Sequence, residues 1–352
     1  MAIFSVPGIK ISGVAACIPR FEYDNYSFNW NSEKERDTFI KYVGVEKRRV
    51  AGPGITTSDL CYSAAEKLIG GLAWNKEDID LIIFVSQSRD YLIPATAGIL
   101  QDRLGLPKSC VALDISLGCS GYVYGLSVMG RMMAGGAIKK GLLLVGDVST
   151  KNTSEQDKST FPLFGDAGTA TALEYSEEQE AMAFNLQTDG SGYRAIIIPD
   201  GGIRNLASSE HSFEYEVFSE GISRNRFHIA LDGPEVFNFS LREVSPNIKA
   251  LLKYAEADIT DIDYFVMHQA NKIMNETIRK QLKVDPGKYP YSIDQFGNTS
   301  SASIPLTLVS RLSKEISSSS LKMLFSGFGV GLSWGSVIVE TNNVFCPDII
   351  EL

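Results

Sequence analysis

Histidine, cysteine and long apolar runs are all scarce in this sequence. Three histidines and five cysteines occur among 352 residues, with no C-x-x-C pair and no histidines at metal-ligating spacing. That distribution argues against disulfides and structural zinc. Charges or glycines interrupt every apolar run, and the first residues lack the basic and apolar segments of a secretory signal. We therefore expect a protein of the reducing cytoplasm that does not span a membrane.

Positive charge is also in short supply. Asp and Glu total 42 against 33 for Lys and Arg, and the resulting net charge of -9 argues against a nucleic-acid partner. Hydrophobic residues make up 44% and charged residues 21%, values typical of a compact globular chain. At this length, two domains or one large duplicated body are expected.

The apolar runs predict an α/β fold. Short runs of Val, Ile, Leu and Phe bounded by turn residues are typical of buried strands, and stretches with helical spacing lie between them. Strands that alternate with helices indicate an α/β architecture. The predicted strands are 81–85, 111–115, 142–145, 264–267, 323–325 and 337–339, and the predicted helices are 59–72, 97–104, 121–134, 234–255 and 272–282.

Two segments of the chain resemble each other. DIDLIIFV occupies residues 78–85 and DIDYFVM occupies residues 261–267, each after a stretch rich in Ala, Leu and Lys. A duplication or a coincidence accounts for the pair. The region 176–228 is rich in Gly, Ser and Glu, and we expect it to hold the crossover between halves and a surface excursion.

Cys119 is the cysteine placed best for chemistry. The apolar strand 111–115 leads through small residues into an amphipathic helix, which puts the thiol at a helix N-terminus. Unpaired N–H groups and the helix dipole there favour a thiolate and lower the thiol pKa. The other four cysteines lack this setting and are expected to be small apolar residues: Cys17, Cys61, Cys110 and Cys346.

His268 and Asn298 are the next candidates. His268 directly follows the apolar strand 264–267, at the kind of strand end where catalytic groups of α/β proteins gather, although a core histidine would also fit. Asn298 lies in a glycine-led turn of small residues that opens a helix, a pattern equally typical of a tight capped turn.

Residues 326–335, SGFGVGLSWG, form a glycine-rich segment. The segment lacks the G-x-G-x-x-G register and leads into a strand, which argues against a dinucleotide site. A glycine-rich link between two buried strands can instead present a backbone N–H to an oxyanion.

Five motifs in this order resemble those of β-ketoacyl-acyl carrier protein synthase III: LGCSG at Cys119, LFGDAGTA at 163–170, HQAN at His268, GNTSSASIP at 297–305 and GFGVGLSWG at 327–335. The resemblance covers nearly the whole chain. It implies a thiolase-like five-layered αβαβα fold and a homodimer. It also implies two pseudo-symmetric halves, residues 1–180 with the cysteine and residues 181–352 with the histidine and asparagine.

The resemblance also implies a reaction. Cys119 would accept an acyl group from a thioester, while His268 and Asn298 would bind a malonyl thioester, promote its decarboxylation and stabilise the enolate that attacks the acyl carbon. Backbone N–H groups of Cys119 and Val330 would form the oxyanion hole, with Phe328 beside the cysteine. The expected partners are acyl carrier protein, an acyl-CoA or acyl-carrier donor and a malonyl thioester. No metal or redox cofactor is expected.

Several positions depart from the family pattern. Thr38 and Tyr42 stand where housekeeping members have a tryptophan and an arginine that grip the coenzyme A nucleotide. Ile273 replaces an arginine that follows HQAN, although Lys272 is adjacent, and Val330 replaces a glycine. These changes predict a specialised member and leave open whether the donor is carried on coenzyme A or on a protein.

Two features have alternative interpretations. Ile93 matches a position that reaches across the dimer interface to the partner's acyl pocket, or it is a core or interface residue without effect on specificity. The basic run at 47–49 meets the acidic helix of a carrier protein or is simply solvated.

The leading hypothesis is decarboxylative condensation in fatty-acid or related lipid or polyketide synthesis. Acyl transfer to an oxygen or nitrogen acceptor is the alternative, and Asn298 favours condensation because an enolate needs a second donor. A non-catalytic subunit of a heteromeric condensing complex is a further alternative, against which the presence of all three catalytic residues argues.

Overall fold

A computed structural model describes residues 2–208 and 211–352, which form seventeen strands and nine α-helices. The strands are β1 (Ala2–Val6), β2 (Ile9–Ile18), β3 (Glu22–Asp24), β4 (Lys47–Arg49), β5 (Leu81–Val85), β6 (Val111–Ile115), β7 (Lys140–Asp147), β8 (Ala167–Tyr175), β9 (Met182–Thr188), β10 (Ile196–Ile197), β11 (Glu216–Ser219), β12 (Ile222–Arg224), β13 (Ala230–Leu231), β14 (Tyr264–Met267), β15 (Ser320–Gly329), β16 (Ser333–Asn342) and β17 (Ile350–Glu351). The helices are α1 (Glu33–Tyr42), α2 (Thr57–Gly71), α3 (Thr96–Arg103), α4 (Gly121–Met133), α5 (Gly233–Tyr254), α6 (Lys272–Leu282), α7 (Ile293–Phe296), α8 (Ser303–Arg311) and α9 (Ser313–Ser318).

The first large sheet has six strands in the order β17-β2-β8-β7-β5-β6. β5 pairs in parallel with β6 and β7, whereas β8 pairs antiparallel with β7 and β2. All five residues of β5 are buried. Helices cover both faces of this sheet, which explains why β5 is an unbroken apolar run rather than an alternating one.

The second large sheet has five strands in the order β1-β9-β16-β15-β14, of which only β14 and β15 pair in parallel. β1 comes from the start of the chain, yet it pairs with β9 in this sheet. β17 comes from the other end and pairs with β2 in the first sheet. The two sheets therefore exchange their terminal strands, and the division of the chain at residue 180 stays a prediction.

Helices complete five layers. α2 and α3 pack on the outer face of the first sheet, α5 packs on the outer face of the second with α6 beside it, and α4 and α8 lie between the two sheets. The largest apolar cluster fills this central layer, where Leu126 of α4 and Leu308 of α8 are fully buried between strands of both sheets. Burial of each such leucine contributes about 1.5–3 kcal/mol to folding.

The repeated DID segments occupy equivalent places. Asp80 accepts the Lys139 N–H at 2.7 Å, and its own N–H donates to the Lys140 carbonyl at 2.9 Å. Asp263 accepts the Lys322 N–H at 2.8 Å and donates to the Lys322 carbonyl at 2.8 Å. Each aspartate thus anchors a buried strand, β5 or β14, to its parallel neighbour. The matched contacts favour duplication over coincidence.

The predicted strands and helices are all present, and several are longer than predicted. β2 and β8 were missed because Gly, Ala and Thr dilute their apolar pattern. These small residues serve close packing, since a Cβ on Gly168 would lie 2.5 Å from the Cys61 nitrogen. The region 176–228 holds β9 and the hairpin of β11 and β12, and its residues 209 and 210 lie outside the described residues. Within the described part of the chain, no helix combines the length and apolarity needed to span a membrane.

Candidate active site

Cys119 lies where the turn after β6 enters α4, and its side chain is buried. The glycine-rich end of β15 packs directly against it. A Cβ on Gly329 would lie 2.8 Å from Cys119 Sγ, and a Cβ on Gly327 would lie 2.8 Å from the Cys119 carbonyl oxygen. Only glycine permits so close an approach at these two positions. The hydroxyls of Ser120 and Ser333, 2.6 Å apart, tie the two segments together.

A cavity of about 100 Å³ brings the predicted site residues together. Cys119, His268 and Asn298 line it, as do Phe328 and Val330. These residues come from separate segments, and a common cavity is what a shared reaction centre requires. The rest of the wall is largely apolar and includes Leu163, Phe164, Ile196, Ile229, Leu231, Val236, Ala270 and Met274.

The thiol of Cys119 is less acidic than predicted. Burial raises its pKa to about 11, although the Val330 N–H and the Ser300 hydroxyl lower the pKa in part. The Gly121 N–H at the start of α4 is already bonded, at 2.6 Å, to a backbone carbonyl of the preceding turn. The prediction of a lowered pKa was therefore wrong. At neutral pH Cys119 is a thiol that must lose its proton when it reacts.

His268 follows β14 directly and is 1% exposed. Burial lowers the pKa of its ring to about 3, so the imidazole is neutral at physiological pH. Its Nδ1 lies 2.7 Å from Ser303 Oγ, and that oxygen also accepts the Gln269 N–H at 3.3 Å. The serine proton is then free to go to Nδ1, which leaves the ring proton on Nε2. A neutral His268 is thus a hydrogen-bond donor.

Phe328 fixes the other side of this histidine. Its ring contacts the His268 ring edge to face, with centroids 5.6 Å apart and planes at 85°. The backbone of His268 is also held, because its N–H donates to the Ser326 carbonyl at 2.8 Å and its carbonyl accepts from Asn275 Nδ2 at 3.0 Å. These contacts fix the ring before a substrate arrives.

The LFGD segment positions Asn298. The Asn298 N–H donates to the Leu163 carbonyl at 2.9 Å, and the Gly165 N–H donates to the Asn298 carbonyl at 3.1 Å. The side-chain oxygen accepts the Ser300 N–H at 2.9 Å, and the side-chain NH₂ faces the Ala270 carbonyl at 3.4 Å. The amide is thereby oriented with its NH₂ group as the available donor.

Sequence reasoning missed Ser300, Ser303 and Asp147. The two serines belong to a run of small residues that was interpreted only as packing. Asp147 ends the buried strand β7 and accepts from the Gln87 N–H and the Ser301 hydroxyl, both at 2.8 Å. A polar residue at the end of a buried strand was the signal that could have found it.

The chain is similar to known proteins along nearly its whole length. The family model described as 3-oxoacyl-[acyl-carrier-protein (ACP)] synthase III matches residues 113–190, and the model of its C-terminal region matches residues 252–341. A β-ketoacyl-[acyl-carrier-protein] synthase III of Clostridioides difficile strain 630 is 34% identical, over 94% of this chain and 97% of that protein. One of Streptococcus equi subsp. zooepidemicus is 32% identical, over 94% of this chain and 98% of that protein.

A solved structure agrees with these relatives. The crystal structure of a 3-oxoacyl-(acyl-carrier protein) synthase from Burkholderia xenovorans LB400 matches with a TM-score of 0.93 and 38% identity, covering 99% of each chain. The chain belongs to the 3-oxoacyl-[acyl-carrier-protein] synthase III family. The predicted resemblance, the thiolase-like α/β fold and the class of acyl-transferring condensing enzyme are confirmed.

Three of the four positions that depart from the synthase III family pattern lie on the surface, whereas Val330 lines the cavity. Thr38 and Tyr42 are exposed on α1, and Ile273 is 40% exposed on the first turn of α6. Gly44, at φ +88°, lets the end of α1 pack on α6, since a Cβ there would lie 2.7 Å from Lys272 Cβ. These positions share one surface next to the start of α6, where neighbouring residues line the cavity.

Ile93 does not line the cavity of its own subunit. It is 86% exposed, and the preceding Tyr91 and Leu92 are exposed as well. The core alternative is therefore excluded for the single chain. The role of Ile93 in a partner's pocket stays a prediction.

The basic run at 47–49 is not a free positive surface in this chain. Arg48 is fully buried between two aromatic rings, whose centroids lie 4.4 and 4.3 Å from its guanidinium carbon, and burial lowers its pKa to about 10. Lys47 pairs with Glu22 at 2.8 Å and Arg49 pairs with Glu351 at 3.1 Å. For Arg48, both predicted roles, docking of a carrier protein and simple solvation, are wrong, because its side chain is buried in the core.

Proposed function

We propose that this chain loads an acyl group on Cys119 and condenses it with a malonyl thioester, with loss of carbon dioxide. The observation that carries the proposal is the shared cavity. A buried thiol, a neutral imidazole and an oriented amide all line it. His268 has the protonation state and Asn298 the orientation that its step needs, whereas Cys119 must lose its proton.

In the first step, the Cys119 sulfur attacks the thioester carbonyl of the donor. A sulfur–carbon bond to Cys119 forms, the bond to the carrier's sulfur breaks, and the proton of Cys119 ends on the departing thiol. Backbone N–H groups of Cys119 and Val330 stabilise the oxyanion of the tetrahedral intermediate. Because the resting thiol has a pKa of about 11, its deprotonation accompanies the attack.

In the second step, His268 Nε2–H and the Asn298 NH₂ donate hydrogen bonds to the carbonyl oxygen of the malonyl thioester. The bond to the malonyl carboxylate breaks, carbon dioxide leaves, and the electron pair forms an enolate that the two donors stabilise. The enolate carbon attacks the acyl carbonyl, the bond to Cys119 breaks, and the thiolate takes up one proton. The balance requires no metal or redox cofactor, and we propose none.

The partners belong to the same proposal. The names of the relatives favour acyl carrier protein as the carrier of the malonyl thioester. The donor is carried on coenzyme A or on a carrier protein. With Thr38, Tyr42 and Ile273 in place of the expected nucleotide contacts, Lys272 at the start of α6 is the cation best placed to meet a phosphate near the cavity. The working thiol of Cys119 favours the reducing cytoplasm as the compartment.

A homodimer is also proposed. β6 is the edge strand of the six-stranded sheet, and Val111 at its start is 43% exposed. The outer side of β6 pairs with no strand among the described residues, and such an open side is a template for pairing with a second copy. The exposed segment from Tyr91 to Ile93 follows β5, the strand beside β6, so it would lie near the same interface.

The test uses acyl-CoA and acyl-carrier donors with wild type and the Cys119→Ala variant. Intact-protein mass should rise by one acyl group in wild type only, and subsequent malonyl-carrier should remove that mass with release of carbon dioxide and a ketoacyl product. Light scattering on the same sample measures the oligomeric state. The Cys346→Ala variant is the matched control, since that thiol does not line the cavity.

Two outcomes would contradict the proposal. A folded wild type that no donor labels would favour a non-catalytic subunit of a heteromeric complex. Labelling without carbon dioxide release would favour acyl transfer to an oxygen or nitrogen acceptor, the alternative that the relatives' names do not support.

A further inference from the structure

A second cavity of about 330 Å³ adjoins the catalytic cavity. Both cavities are lined by Gln87, Ser149, Ile196, Ile229, Ser300 and Val330, so they meet beside the nucleophile. The catalytic thiol, imidazole and amide are absent from the described lining of the second cavity.

The second cavity is the space available to an acyl group. Once Cys119 is acylated, a malonyl thioester must reach His268 and Asn298, which line the first cavity together with Ala270 and Met274. The acyl chain must therefore leave that space. The second cavity is reached from Cys119 past Val330, which lines both.

The lining of this second cavity comprises a set of apolar residues, here called the apolar wall, and a set of polar residues, here called the polar or second wall. The apolar residues are Ile196, Ile197, Ile198 and Ile229. The polar residues are Gln87, Ser88, Ser116, Asp147, Ser149 and Asn152. A cavity for a plain hydrocarbon chain would not need the second wall, because polar groups without partners cost free energy when an apolar chain displaces their water.

Three of the polar side chains are free to bind a ligand. Among the described residues, the side chains of Gln87, Ser149 and Asn152 have no hydrogen-bond partner, and none of the three is buried. The Gln87 amide lies beside the nucleophile, because a Cβ on Gly118 would be 2.5 Å from its Oε1. A polar group on the acyl chain would therefore meet it within a few bonds of the thioester carbon.

The charges that line the second cavity indicate which polar group the acyl chain carries. Asp147 is the one ionisable residue in its described lining, and no Lys or Arg lines it. The Asp147 oxygens are already engaged by Ser86 at 3.0 Å, by the Gln87 N–H at 2.8 Å and by Ser301 at 2.8 Å. A carboxylate on the acyl chain would find a like charge and no cation, whereas a neutral hydroxyl would find donors and acceptors.

We propose that the acyl group accepted by Cys119 carries a hydroxyl near its thioester end, bound by Gln87, Ser149 and Asn152. The inference rests on the proposed function, since it assigns the substrate class of the same nucleophile. The apolar wall then holds the remainder of the chain.

The experiment compares three donors of equal carbon number: hexanoyl-CoA, 3-hydroxyhexanoyl-CoA and adipoyl-CoA. If coenzyme A donors fail to label the protein, the corresponding acyl-carrier thioesters replace them. The initial rate of Cys119 acylation is measured by intact-protein mass. We expect the hydroxyacyl donor to react about fivefold to tenfold faster than the plain one, as one satisfied hydrogen bond allows, and adipoyl to react slowest.

Substitutions test which residues cause the preference for the hydroxyacyl donor. Ser149→Leu and Asn152→Leu should equalise or reverse the ratio of hydroxyacyl to plain acylation rates, because the polar wall becomes apolar. Asn29→Leu, at an exposed position that lines neither cavity, is the matched control and should keep the wild-type ratio. Thermal unfolding of each variant confirms that it is folded.

The outcomes separate this inference from the proposed function. Equal or faster acylation by hexanoyl-CoA in wild type would overturn the inference while Cys119 labelling still supported the reaction. A Gln87→Met variant that slows all donors equally would also overturn it, because the polar wall would then bind the pantetheine arm. No labelling by any donor would overturn the proposed function itself.

Discussion

Cys119 and Cys61 are both buried, yet only Cys119 lines the catalytic cavity. Burial raises the pKa of the Cys61 thiol far above its usual value and that of Cys119 to about 11. Cys61 lies inside α2 against β8, where even a Cβ on Gly168 would strike its backbone. Cys119 has the catalytic cavity, the Val330 N–H and the Ser300 hydroxyl around it. The contrast indicates that access to the cavity, rather than a low resting pKa, distinguishes the candidate nucleophile.

The largest expected effect comes from removing the thiol of Cys119 and, for comparison, that of Cys61. Cys119→Ala should abolish acyl adducts and lower the condensation rate by at least about 10⁴-fold, because no second cysteine occurs in the described lining of the cavity. Cys61→Ala should keep the adduct and lose about 1 kcal/mol of unfolding free energy. Intact-protein mass and denaturant unfolding measure the two effects. An acyl adduct on the Cys119→Ala variant would show that a residue other than Cys119 accepts the acyl group.

The second prediction separates acylation from condensation at the same cavity. Asn298→Leu should leave the rate of acylation near that of wild type and reduce carbon dioxide release by about 10² to 10³-fold, since one of two oxyanion donors is lost. The rates come from mass measurement and from trapping labelled carbon dioxide. Equal losses in both steps would contradict the assignment of Asn298 to the enolate.

The third prediction compares the glycines packed on the two cysteines. Gly329→Ala places a methyl group 2.8 Å from Cys119 Sγ and should slow acylation by about 10²-fold through misplacement of the sulfur. Gly168→Ala meets the Cys61 backbone at 2.5 Å and should lower the melting temperature instead. Acylation rates and thermal unfolding distinguish them. A Gly329→Ala enzyme with normal acylation would mean that the close approach has no role.

The smallest effect, counted per pH unit, concerns the ionisation of Cys119. With a pKa of about 11, the thiolate fraction of Cys119 should rise tenfold with each pH unit from 7 to 10 and fall equally as pH decreases. Alkylation by iodoacetamide, followed by peptide mapping, should therefore increase tenfold per unit at Cys119, while Cys61 stays unmodified in the folded protein. A plateau near pH 8 would indicate an acidic thiol and restore the prediction from the helix N-terminus.

Sequence patterns predicted most of the fold and three candidate catalytic residues that the structure places around one cavity, but not the electrostatics of these residues. Unbroken runs such as β5 and β14 were recognisable because burial on both faces demands apolar residues. β2 and β8 were not, because their small residues have meaning only in contact with a neighbour such as α2. The pKa of Cys119 was misjudged because burial, which depends on distant segments such as β15, outweighs the local helix terminus.

The surface residues show the same limit. In the sequence, a run of three basic residues is typical of a docking patch. In the structure, Arg48 points inward between aromatic rings while its neighbours point outward. Strand β4 explains this, since alternate side chains face opposite sides. The polar lining of the second cavity likewise comes from Gln87, Ser149 and Asn152, which no single motif contains.

The exchange of β1 and β17 between the sheets has a consequence for the duplicated architecture. A chain cleaved near residue 180 would yield two fragments, each retaining a strand that completes the other's sheet. Each fragment alone would lack one edge strand of its sheet. A mixture of both fragments should reassociate, because each supplies the strand that the other lacks. Because each terminal strand pairs in the sheet built mainly from the other end of the chain, we expect neither fragment to fold as an independent unit.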